Sequence, residues 1–255
     1  MRVGPSEGLV VVVARLAFLL VLVALWSLAA QTGPRGIIPS PTATWEAGLR
    51  MWDDQRLQRA LGDSLLVFSA GFGAAAVIGI ATGFLMGSIR MLGRTLDIFV
   101  YALAATPRVA FIPLVILLLG LGVEAKAFIV FLGAVMPVIL NTYAGVRQSD
   151  PDLLEMARAA GASRFRTYAH VVLPGVVPFL VVGLRLGATI GLINTVVAEL
   201  YTAVRGLGGL LALYGNTFRM AEYFVVVLML ALIGVTVTEG LRLVEQRLSR
   251  WRETV

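Results

Sequence analysis

The sequence has no cysteine, a single histidine (His170) and, among 21 basic residues, a single lysine (Lys126). Without cysteine there is no disulfide framework, no zinc–thiolate site and no cysteine nucleophile. A phosphate-gripping G-x-x-x-x-G-K-[ST] loop needs a lysine directly after a glycine, and Lys126 follows Ala125. The chain therefore has no ATP site of that kind. Charge is scarce too: Asp, Glu, Lys and Arg make up 14% of the 255 residues, against roughly 25% in an ordinary soluble domain. The carboxylates are scattered, so no metal-ligand spacing and no catalytic constellation is visible; neither a metal site nor an enzyme is expected.

What is present is apolar. Hydrophobic residues make up 58% of the chain, and its mean hydropathy is +0.89. A hydrocarbon core of about 30 Å takes about 20 apolar residues in helix, and six stretches approach that: Leu9 to Ala30, Ser64 to Ile89, Ile98 to Leu119, Ala127 to Val146, Val171 to Ala198 and Tyr223 to Val244. The expectation is an all-α integral membrane protein of six transmembrane helices, a single domain over residues 1–255 with no internal repeat. The net charge of +6 does not indicate a nucleic-acid module, because the arginines stand singly between apolar runs. Arg2 and Ser27-Leu28-Ala29 give the first run the outline of a cleavable signal. Its apolar part exceeds the ~7–15 residues of a signal h-region, so it is expected to stay as a span.

Six spans with the N-terminus inside place Arg35, Arg50, Arg56, Arg59, Lys126, Arg205 and Arg219 outside and Arg108 and Arg185 within spans, leaving the other twelve basic residues inside. The positive-inside rule then favours both termini in the cytoplasm. The first outer loop carries Pro34, Pro39 and Pro41 and an amphipathic piece, Trp45 to Leu61, suited to the interface. The inner loop over 147–174 is different. Ser149-Asp150-Pro151-Asp152 is a cap-plus-proline helix start, Gly161 ends that helix, and a second short helix from Ser163 leads to Leu173-Pro174.

Glu155-Met156-Ala157, Gly161, Val171 and Leu173-Pro174 fit, at every spacing, the E-A-A-x-x-x-G-x9-I-x-L-P signature. Met156 and Val171 are the two departures, and both keep an apolar contact. In this the chain resembles the permease subunits of bacterial ATP-binding-cassette importers. Ile38-Pro39-Ser40-Pro41, Ile112-Pro113-Leu114, Gly120-Leu121-Gly122, residues 141–146, Ala198-Glu199-Leu200 and Gly206-Leu207-Gly208 resemble the nitrate/sulfonate/taurine/bicarbonate group of that family. The resemblance implies a type I importer permease fold in the cell inner membrane and pairing with a second copy of itself. It implies two cytoplasmic ATPase subunits that hold the ATP and Mg, and a periplasmic or lipid-anchored substrate-binding protein. It also implies that the loop 147–174 is the element docking on the ATPase, and that a small solute, anionic in most of the group, is carried. Carriers of thiamine-precursor pyrimidines belong to the same family, so substrate stays open. A self-contained secondary carrier would need paired titratable residues near the midplane, where the spans offer little beyond Arg108 and Arg185.

Arg108, flanked by Pro107 and Pro113, is the most informative charge within a span. The two prolines are expected to break the helix ladder there, and Arg108 serves as an electropositive site for an anionic substrate, as a structural group paired with a carboxylate such as Glu199 or Glu239, or as an arginine snorkelling inward. Asn194 and Thr195 face the path or bond across helices. Glu199 caps a gate or pairs with Arg205. Arg185 and Asn141 are read as structural. Gly71, Gly73, Gly79, Gly83 and Gly87 form small-residue faces for close helix packing.

Overall fold

The computed structural model describes residues 5–34, 36–148, 150–203 and 205–248. Among them there is no strand. The helices are α1 (Pro5–Thr32), α2 (Pro41–Asp53), α3 (Arg56–Ser88), α4 (Arg90–Ala105), α5 (Ile112–Leu119), α6 (Val123–Arg147), α7 (Pro151–Ala159), α8 (Arg164–Thr167), α9 (Leu173–Thr202), α10 (Leu207–Asn216) and α11 (Met220–Leu248). A 3-10 turn, Arg108–Phe111, joins α4 to α5, and a π turn, Tyr168–Val172, joins α8 to α9.

Five helical stretches are long and apolar enough to cross a bilayer; α4 and α5, bent by 82° at their junction, become a sixth only if they act together. The packing of α3 on α6 decides this. A Cβ at Gly79 would stand 2.8 Å from Val138 Cβ, and Gly71, Gly83 and Gly87 meet Val130, Thr142 and Val146 in the same way. The partner number rises with the glycine number, so α3 and α6 run parallel. Two parallel crossings need a return crossing between them, and only α4–α5 is available. In contrast α9 runs antiparallel to α6: Gly183 meets Asn141, Gly187 meets Ala134 and Gly191 meets Val130. Small residues let these backbones approach closely, which is how helices gain contact where lipid is as apolar as the side chains. Gly73, with nothing within 4 Å of its would-be Cβ, is not part of this seam.

The crossings alternate, so α3 and α6 finish, and α9 begins, at one end of the bundle. That end carries residues 147–174 and is called the loop end. At the far end, α2 is started by Ser40, whose Oγ accepts from Ala43 N at 3.2 Å, and it buries Ala47 and Met51 with Leu57 of α3, Leu211 and Tyr214 of α10 and Val226 of α11. The apolar α1 lies outside the core; Trp26 ties it to the far end by donating to Pro39 O at 2.9 Å and stacking on Phe224 at 5.8 Å. Both α1 and α11 therefore have their terminal ends on the loop side.

Three stretches take a more definite form than the sequence gives. The amphipathic piece Trp45 to Leu61 is not one helix: Gln55 sits at φ 57, Trp52 O accepts from Gln55 N at 3.0 Å, and α3 starts at Arg56. The third span is broken beside Pro107, in keeping with the two prolines that flank Arg108. The second short helix of the inner loop leads into the fifth span without a break: α8, the π turn and α9 form one helical rod from Phe165 to Thr202.

Candidate functional site

At the broken crossing, α4 ends at Ala105, Thr106 is extended, and Pro107 leads into the 3-10 turn; Pro113 stands in the first turn of α5, where a missing N–H costs nothing. Arg108 begins the turn. Its Nη2 donates to Ala104 O at 3.0 Å, a carbonyl in the last turn of α4, where helical donors run out. Its Nη1 donates to Gly133 O at 3.5 Å. That carbonyl belongs to α6, and its helical donor would be the N–H of residue 137, which is proline. Arg108 thus supplies donors to two carbonyls left open by two helix breaks. Neither Glu199 nor Glu239 pairs with it: Glu239 lies 3.5 Å from Arg242, and Glu199 is engaged elsewhere.

The same turn of α6 receives Asn194. Its Nδ2 donates to Ile129 O at 3.5 Å, and a Cβ at Gly133 would collide with that amide. Asn194 is buried, and Thr195 beside it donates to Gly191 O at 2.9 Å within its own helix. Asn141 Nδ2 donates to Pro137 O at 2.8 Å. Arg108, Pro137, Asn141 and Asn194 therefore form one polar seam joining the broken crossing to α6 and α9. Arg185 lies half-buried on α9, two residues past the Gly183 contact.

Glu199 stands apart, at the far end, fully buried within the chain. Ser64 Oγ donates to its carboxylate at 2.8 Å, Gly208 N donates to Oε2 at 2.8 Å, and Leu207 N donates to Ser64 Oγ at 2.8 Å. The carboxylate and the hydroxyl thus cap α10, whose N-terminus favours negative charge. Gly206, at φ 93, passes so close to the carboxylate that no Cβ fits there. Buried Lys126 donates to Arg205 O at 3.3 Å and draws Glu199 and Asp63 electrostatically. The expected pairing of Glu199 with Arg205 is replaced by this cap. Ser64, Lys126 and the short helix α10 were missed by sequence reasoning; the signal was a carboxylate closing an apolar helix just before Gly206-Leu207-Gly208.

A mainly apolar groove of about 530 Å³ lies between α3, α9 and α11, with Thr189, Thr195, Thr238 and Glu239 among its walls. Arg108, Asn194 and Glu199 do not line it.

The loop 147–174 forms a bracket at the loop end. Asp150 caps α7 by accepting from Asp152 N at 2.9 Å. Gly161 stops it: Ala162 N donates to Ala157 O at 3.0 Å and Gly161 N to Arg158 O at 2.9 Å, the bond pair of a Schellman stop, with Gly161 left-handed at φ 71. Nothing lies within 4 Å of a Cβ there, so the backbone angle, not space, calls for glycine. In the π turn Leu173 N reaches back to Tyr168 O, next to Pro174, which has no N–H to give His170 O. Leu154 and Val172 pack on Val146 and Val176, and signature residue Val171 is only half-buried beside them. Outward, Glu155 is exposed, Met156 is 66% exposed and Phe165 82% exposed, with Leu153 and Leu173 also presented; Ala157 and Pro174 are half-buried. Exposed apolar side chains on a polar connecting segment at the end of the bundle mark a contact surface.

Six crossings with a helical bracket at one end define a multi-pass membrane protein. The chain belongs to the binding-protein-dependent transport system inner membrane component family, the permease subunits of ATP-binding-cassette importers, whose family model matches residues 75–250. It is 36% identical over 239 residues to the putative aliphatic sulfonates transport permease of Escherichia coli, covering 90% of this chain and 88% of that one. It is 30% identical over 209 residues to the taurine transport system permease of the same organism, covering 82% and 76%. The inward-facing MetNI methionine transporter shares the fold at a TM-score of 0.63 and 20% identity, over 78% of this chain and 97% of that one. The protein is a transport subunit of the inner membrane.

Proposed function

We propose that two copies of this chain form the path of an importer for a small anionic solute, of the sulfonate kind carried by its relatives. The loop end faces the cytoplasm, with both termini. There the bracket seats in a separate ATPase subunit, which holds and hydrolyses ATP with Mg; a periplasmic or lipid-anchored binding protein delivers the solute at the far end. Closure of the ATPase pair pushes the bracket, and the continuous rod from α8 through α9 carries that motion across the bilayer. Arg108, Pro107, Pro113 and Asn194 lie where the broken crossing meets α6 and α9, so a tilt of α9 reaches the path there. The Glu199 cap holds α10 against α3 and α9 on the side where solute arrives.

The observation that carries this reading is the exposed Met156 and Phe165 on a bracket continuous with a spanning helix. The chain has no cysteine, so a single M156C variant can be labelled cleanly in intact spheroplasts and in inverted vesicles. Labelling only in inverted vesicles, lost once the ATPase subunit is added, is expected. Labelling from the periplasmic side, or labelling that the ATPase leaves unchanged, contradicts it.

A further inference from the structure

A second polar feature of the loop end lies behind the bracket. Arg90 and Arg94 of α4, Arg147 at the end of α6 and Arg158 of α7 line a cleft of about 800 Å³, with Asp97 and Tyr143 in its wall. One carboxylate faces four guanidinium groups. None of the four forms an ion pair with a described carboxylate. Arg147 is steadied by Tyr143, lying 5.5 Å over the ring and donating to its hydroxyl at 3.4 Å; its remaining donors are free to serve a ligand.

The start of α4 sharpens the charge. A helix N-terminus carries partial positive charge and open N–H groups. The first turn of α4 has no acidic residue and no side-chain cap, and it begins with an arginine. Arg90 at that positive end repels it, whereas Arg147 and Arg158 stand in the last turns of α6 and α7, where positive charge is favoured; an anion in the cleft relieves the repulsion at α4. Guanidinium groups match phosphate oxygens two at a time.

The place decides the source of the phosphate. Three of the arginines sit where α3 ends, α4 begins and α6 ends, which is headgroup depth. The flank of α4 next to the cleft, about a quarter-turn round from Arg90 and Arg94, is lipid-like, with Met91 82% exposed and Ile98 68% exposed. On α7, Leu154 and Arg158 face this cleft whereas Leu153 and Met156 face away from it. We propose that the cleft binds the phosphate of an anionic phospholipid, its acyl chains lying along the exposed face of α4. The site rests on the geometry of the loop end, not on the direction or substrate of transport.

The test is native mass spectrometry of the full-length chain, titrated with phosphatidylglycerol, phosphatidylcholine or inorganic phosphate, alone and with its ATPase subunit. Phosphatidylglycerol is expected to bind in preference to phosphatidylcholine, to resist millimolar phosphate and to survive ATPase binding. In R90Q/R94Q its affinity falls about tenfold to thirtyfold, while R90K/R94K keeps most of it. If R90Q/R94Q fails to fold, R158Q, on the exposed α7, carries the same comparison with a several-fold loss. Equal binding of the two lipids, or variants that bind like the wild type, overturns the proposal. Displacement by free phosphate would mean a soluble anion site, and displacement by the ATPase a protein interface; either also overturns it.

Discussion

Arg108 donates to the carbonyl of Gly133, the one acceptor in α6 that Pro137 deprives of its helical donor. A residue at one helix break thereby repairs another. Hydrogen bonds from charged donors contribute about 1.5–3 kcal/mol, so Arg108→Gln is expected to lose about that much stability. Pro137→Ala restores the backbone donor, and in that background the loss at Arg108 shrinks by about 1 kcal/mol. Reversible unfolding of the four proteins of this cycle in mixed micelles measures the coupling; additive losses would show that Arg108 acts independently of Pro137.

The α3–α6 seam predicts a sharp contrast between glycines of one helix. Gly79→Leu drives a side chain into Val138 and is expected to cost about 2 kcal/mol or more. Gly73→Ala meets open space and gains helix propensity, so it is expected to be neutral or to stabilise by up to about 1 kcal/mol. Unfolding midpoints of the two variants check this.

Much of this architecture was legible in the sequence, because long apolar runs between arginines leave few other outcomes. The signature spacing likewise located the bracket to the residue. Other features were hidden for identifiable reasons. At ten residues, α10 is too short to register as a span, and it depends on Glu199 and Ser64 from distant helices for its cap. The break at Gln55 interrupts an apolar periodicity that reads on unbroken through it. The partner of Arg108 was sought among carboxylates, whereas the acceptor is a backbone carbonyl exposed by a proline 29 positions away in sequence, visible only once α6 is in place beside the break. The π turn rests on a backbone reach from Leu173 to Tyr168 that no side-chain pattern announces.

Glu199→Ala leaves Gly208 N–H and the Ser64 hydroxyl without their acceptor, at about 1–3 kcal/mol for each buried group. Glu199→Gln keeps one of the two bonds and is expected to lose less. Hydrogen exchange over residues 207–216 reads the effect directly. Faster exchange confined to α10 and its neighbours is expected, and unchanged protection would show that the cap is dispensable.

Gly161→Ala forces a Cβ into a left-handed position, a strain of about 1–2 kcal/mol, and so loosens the end of α7. Asparagine tolerates that conformation. In proteoliposomes with the ATPase and the binding protein, Gly161→Ala is expected to lower solute-stimulated ATP hydrolysis and Gly161→Asn to retain most of it. Equal loss in both would point to side-chain bulk at the docking surface, not backbone angle.

In the proposed function, the exposed face of the bracket transmits ATP hydrolysis to the path. Its most direct test is solute-stimulated ATP hydrolysis and solute uptake, measured together in proteoliposomes for Met156→Asp and Phe165→Ser. Normal insertion and stability are expected, with both activities reduced at least tenfold; transport at the wild-type rate by either variant would show that this face does not carry the signal.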